Sequence, residues 1–103
     1  MAKLNKAEVN CLKEARKVLK AEEMERARAI EKCSTEREIS TIAAKLQKEN
    51  ANVFKEYYKE EPAEGSFSSE TYLDKIDMLQ RLIIKAKKKL SEIRAEIDPG
   101  FTD

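Results

Sequence analysis

Between Tyr72 and Ile97 the chain places apolar residues at alternating spacings of four and three: Tyr72, Ile76, Leu79, Ile83, Ala86, Leu90, Ile93 and Ile97. This is the seam of a coiled-coil helix. Ile76, Ile83, Leu90 and Ile97 take the a positions of its heptads, and Tyr72, Leu79, Ala86 and Ile93 the d positions. Leu73, Leu82 and Ile84 fall outside the seam. The middle of the helix is therefore apolar over more than one narrow stripe and needs cover from a second side.

Residues 3 to 60 contain neither Gly nor Pro and read as helix throughout, but their pattern divides in two. Ile39, Ile42, Leu46 and Val53 form a fair seam in the second half. Leu4, Ala7, Cys11, Ala15 and Val18 form a thinner one in the first. Leu4, Cys11 and Val18 share heptad phase with Ile39, Leu46 and Val53, yet the in-phase positions between them are Glu25, Arg28 and Lys32, where the seam fails. Met24, Ala27, Ile30 and Cys33 drift to another face. Within "CSTERE", Thr35 and Glu38 have the spacing of a capping box, a signal able to restart a helix.

The clear break is residues 61–69, "EPAEGSFSS", rich in turn formers. Ser68 or Ser69 is expected to cap the helix that follows, with Glu70 stabilised in its first turn by the helix dipole. Pro99 stops that helix near Ile97, because proline disfavours α conformation in the residue before it.

The pattern predicts an all-α fold in a single helical domain, 1–103: helix 3–60, loop 61–69, helix 70–97 and tail 98–103. The favoured architecture is an antiparallel helical hairpin, a coiled coil with a long first helix whose residues 3–32 are left to pair with another chain. The alternative is a three-helix bundle with a turn near 33–35, made of helices 4–32, 36–60 and 70–97. Shared phase and the lack of Gly or Pro at 33–35 favour the hairpin. Matched lengths and the second covered side of the last helix favour the bundle.

Composition agrees with either. More than half of the residues are Ala, Glu, Lys, Arg or Leu, the signature of long helices. Charged residues make up 40% of the chain, yet the net charge is only +1. That balance argues against self-repelling disorder and against a globally basic nucleic-acid binder.

Histidine is absent. The commonest general base is thereby missing, as are the Glu-x-x-His pairs of di-iron bundles. Cys11 and Cys33 without histidine make no zinc set. On one helix their separation of 22 positions spans about 33 Å, too far for a disulfide. No Gly-rich phosphate loop is present. The expectation is a protein that is not an enzyme, with no catalytic residue, cofactor, metal or small-molecule substrate. No apolar run reaches the roughly 18 residues of a membrane span, and "MAKLNKAEVN" lacks the apolar core of a signal peptide. A cytoplasmic protein with reduced thiols is the expected setting.

What remains is surface. "IIKAKKKLSEIR" places Lys85, Lys87, Lys88 and Lys89 on the side away from the seam, the ordinary place for a solvated face. Against that reading stand the like-charge pairs Lys85/Lys89, Lys13/Lys17 and Arg16/Lys20, each four apart on a helix and mildly unfavourable. Lys13, Arg16, Lys17 and Lys20 with Lys85–Lys89 therefore form a candidate basic patch for nucleic acid. The basic segments carry no interleaved aromatics for base stacking.

Five of the six aromatics, Phe54, Tyr57, Tyr58, Phe67 and Tyr72, flank the 61–69 loop. They either plug the hairpin tip or dock a partner, with Tyr57 and Phe67 as the proposed anchors. Phe101 in the tail is a candidate short linear motif.

The function expected first is a non-enzymatic coiled-coil protein–protein interaction module: an adaptor, an assembly subunit or a small chaperone. It would act by helix–helix packing, with a protein partner or by self-association as a homodimer. Its apolar surface is drawn from Ile76, Leu79, Leu82, Ile83, Ile84 and Leu90, some of which must be internal core. The alternatives are a nucleic-acid-associated protein using the two lysine clusters, and a regulatory inhibitor docking through the aromatic tip.

Overall fold

A computed structural model describes residues 4–97. The all-α class holds, and the architecture is the three-helix one: α1 (Lys6–Glu31), α2 (Glu36–Glu60) and α3 (Phe67–Ile97). The continuous helix 3–60 does not form. Thr35 has extended backbone, and its hydroxyl accepts from the Glu38 amide at 3.2 Å while donating to the Glu38 carboxylate. A capping residue satisfies amides that would otherwise be orphaned at a helix start. This local device outweighs the absence of Gly and Pro.

Asn5 caps α1 by accepting from the Glu8 amide at 2.8 Å. At α3 the cap is Ser66, whose hydroxyl accepts from the Ser69 amide at 3.2 Å. The helix thus starts earlier than a Ser68 or Ser69 cap predicts, and Ser69 itself is buried. Glu61 ends α2 in the left-handed conformation at φ 42°, directly before Pro62. Pro62 resists continuing the helix through its predecessor. The tail with Phe101 lies outside the described residues.

Ion pairs and one hydrogen bond give the direction of each helix. Arg16 meets Glu70 and Asp74, Glu23 meets Arg81, and Glu31 meets Lys85, so α1 and α3 run parallel. Glu36 meets Arg94, Glu49 meets Lys75, and Glu60 meets Tyr72, so α2 and α3 run antiparallel, as a hairpin requires. α3 packs against both of the others, which approach one another far less. The result is elongated, 55 × 25 × 19 Å. Its radius of gyration is 17.0 Å, against about 13 Å for a compact chain of this length.

The core is built around α3. Ile76, Leu79, Ala86 and Ile93 of the expected seam are buried, and so are Met78 and Leu82 beside it. α2 contributes Ile39, Leu46 and Val53 at heptad spacing. α1 departs from its expected seam: Ala7, Cys11 and Val18 are exposed, while Leu12 and Ile30 are buried and Leu19 packs on the core. Leucine and isoleucine remove more apolar area from water than the small seam residues do. Once the chain breaks at 33–35, α1 is free of the phase of α2 and can turn its larger side chains inward.

Candidate functional site

The apolar candidates separate by burial. Ile76, Leu79 and Leu82 are core, and Ile83 and Leu90 pack half-buried against it. Only Ile84 is out in solvent, at 67% exposure. Of the three apolar residues outside the α3 seam, Leu82 is buried on the side where Met78 and Lys85, about one turn to either side of it, border Leu19 and Glu31 of α1, while Leu73 and Ile84 remain exposed.

The basic candidates are interrupted by acids. Arg16 donates to Asp74 at 2.7 Å and to Glu70 at 3.1 Å, and the Asp74 hydrogen bond raises its pKa above the ordinary arginine value. Lys17 pairs with Glu14. Arg81 bridges Glu23 and Asp77, with the Glu23 hydrogen bond as the larger cause of its raised pKa. Lys85 holds Glu31 at 2.9 Å and depresses the carboxyl of Glu31. The charges along the α1/α3 junction thus alternate in sign. Lys13, Lys20, Lys87 and Lys88 are exposed, and none makes an ion pair among the described residues. Lys89 is half-buried, close enough to Glu31 to contribute to its shift. The two lysine clusters do not merge into one stripe.

The aromatics are gathered, but in a different order of exposure. Tyr57 and Phe67 are half-buried. The Tyr57 ring stands 6.0 Å from that of Tyr72 and 5.3 Å from that of Tyr58, which is 4.9 Å from Phe54. Phe54 is 42% exposed and Tyr58 60%. Tyr57 closes the α2/α3 contact, and the available rings are Phe54 and Tyr58.

These rings belong to a larger face. Where Tyr57 meets Tyr72, α2 and α3 are antiparallel, so one residue further on each helix turns out to the same side. Tyr58 and the half-exposed Leu73 therefore share a face. On α2 it continues through Ser40, Ala44, Gln47, Ala51, Phe54 and Tyr58, spaced four and three, all exposed and none charged. On α3 it continues through Leu73, Gln80, Ile84 and Lys87, with Asp77 at its rim, where the carboxylate also borders the α1/α3 groove; all five are exposed. In a chain as charged as this one, such a face stands out. Its mark in the sequence is missing charge at heptad spacing, which a search for hydrophobic positions passes over because Ser, Gln and Ala carry little hydropathy.

Among the described residues no group of three or more His, Cys, Asp or Glu side chains is placed to hold a metal, and no helix is long and apolar enough to cross a membrane. Compared with models of known families, with curated proteins and with solved structures, the chain matches none.

Proposed function

We propose that this protein is a non-enzymatic interaction module that docks another protein surface by helix packing, in the manner of an assembly subunit or adaptor. One observation carries the reading. Of the six large hydrophobic side chains exposed among the described residues, four (Phe54, Tyr58, Leu73 and Ile84) stand on the outer α2/α3 face. Single exposed hydrophobics are ordinary, whereas a shared patch marks an interaction site. These side chains keep between 42% and 67% of their surface exposed, so covering each contributes about 1–2 kcal/mol, and aromatic anchors dominate interface energetics. The uncharged positions between them, Ala44, Gln47 and Ala51, let a partner helix approach without desolvating an ion.

This reading moves the docking role of the aromatic tip from Tyr57 and Phe67 to Phe54 and Tyr58. Nucleic-acid binding would have to rest on Lys13, Lys20, Lys87 and Lys88, which lie in two separate groups. It therefore has the weaker support.

A photo-crosslinking residue placed at Tyr58 or Ile84, and at Lys13 as a control outside the face, tests the proposal in the cells that make the protein. A discrete protein adduct from Tyr58 and Ile84 but not from Lys13 is expected. Adducts of equal yield from all three positions, or none from the face, would overturn it.

A further inference from the structure

We propose that the outer α2/α3 face is covered by a second copy of this chain, related by a two-fold axis that lays α2 antiparallel on the partner's α2 and α3 antiparallel on the partner's α3. The inference rests on the interaction-module reading and names its partner.

Charge is the first argument. The α3 stripe carries Asp77 in its first half and Lys87 in its second, with Gln80 and Ile84 between them. An antiparallel pairing centred at position 82 sets Asp77 against the partner's Lys87, and Lys87 against the partner's Asp77. A parallel pairing in register would set like charges together. Lys87 makes no ion pair within the monomer's described residues, while Asp77, at the rim between the outer face and the α1/α3 groove, pairs with the exposed Arg81 and keeps 67% of its side chain in solvent.

Size is the second argument. Pairing the α2 stripe antiparallel about position 49 sets Tyr58 against the partner's Ser40, Phe54 against Ala44, and Ala51 against Gln47. Each large residue then meets a small one, the alternation that lets facing layers interdigitate. A two-fold contact must be complementary to itself in this way.

Position is the third. Residues that meet across α2 and α3 have numbers totalling between 124, for Glu49 with Lys75, and 132, for Glu60 with Tyr72. Position 82 on α3 is therefore level with positions 42 to 50 on α2, a span that includes the centre at 49. One axis serves both stripes.

The area suffices. From Ser40 to Tyr58 the face runs about 27 Å, and two adjacent helices make it about 20 Å wide. Both copies together would bury roughly 1,100 Å², just above the approximately 1,000 Å² expected of a specific contact.

The test is sedimentation equilibrium on the purified full chain, with Asp77→Lys, with Lys87→Asp and with both substitutions together. Wild type is expected to dimerise. Each single reversal should weaken association by about tenfold, because the two-fold axis doubles every contact. The double reversal should restore it, and circular dichroism should show unchanged helicity in all four proteins. A monomer at every concentration would overturn the second-copy inference. So would a dimer indifferent to both reversals, which would be using another surface. The crosslinks from Tyr58 and Ile84 tell these failures apart from failure of the module itself. A discrete heterologous adduct would keep the module while removing the dimer.

Discussion

Arg26 on α1 donates to both carboxylate oxygens of Glu49 on α2, at 2.8 and 3.3 Å, and the same carboxylate receives Lys75 of α3 at 3.6 Å. Each of the three side chains is about one-third exposed. Because α1 and α2 otherwise approach little, this carboxylate is where the three helices are tied at one point.

Glu49→Ala leaves two cations facing one another without their shared partner. It is expected to cost about 1–2 kcal/mol in urea unfolding, more than an exposed pair contributes. Removing Arg26 as well should recover part of that loss, giving a coupling of about 1 kcal/mol in a double-mutant cycle. Additive effects would show that α1 is held by α3 alone.

Burial separates neighbours within "LIIK". Leu82 is 1% exposed and Ile84 67%. Leu82→Ala is expected to destabilise the fold by about 2–5 kcal/mol. Ile84→Ala should stay within about 0.5 kcal/mol when unfolding is followed in dilute solution. Similar losses at both positions would contradict the face assigned to α1.

The two thiols differ in the same way. Cys33 is buried, donates to the Ala29 carbonyl at 3.3 Å, and has its pKa raised by burial, whereas Cys11 is exposed. A disulfide reagent should modify one thiol at once and the other roughly 100-fold more slowly, because Cys33 must wait for the turn to open. Cys11→Ser should abolish the fast phase. Two fast phases would mean that the 32–35 turn is not packed.

Tyr72 donates its phenolic proton to Glu60 at 2.7 Å, and that hydrogen bond holds it above the ordinary tyrosine pKa. The folded protein thus favours the neutral phenol. Its contribution is complete below the unfolded value of about 10 and is lost as pH rises through the folded value. An absorbance titration should show a late-ionising tyrosine that disappears in Tyr72→Phe. A late phase that survives that substitution would show that the Tyr72–Glu60 hydrogen bond is not its cause.

The helices themselves were legible in the chain because their causes are local. Four-three spacing marks the core side of α3, the Thr35–Glu38 pair marks the start of α2, and Pro62 and Gly65 mark the loop. Whether residues 33–35 bend was a contest between a cap and a helix-compatible run of residues, and spacing alone left it open. Once the chain turned there, tertiary packing chose Leu12, Leu19 and Ile30 over the small seam of Cys11 and Val18, because the larger side chains remove more area from water. Packing also decided which apolar residues of α3 are core. Leu82 and Ile84 are alike in hydropathy, and only the placement of α1 buries one and leaves the other on the outer face. The sequence determined amphipathic helical segments, their order and the loop at 61–69, and left two helices or three undecided. Only the tertiary structure decided the pairing of their charges and the face left uncovered, since both depend on which residues of distant segments stand at the same level along α3.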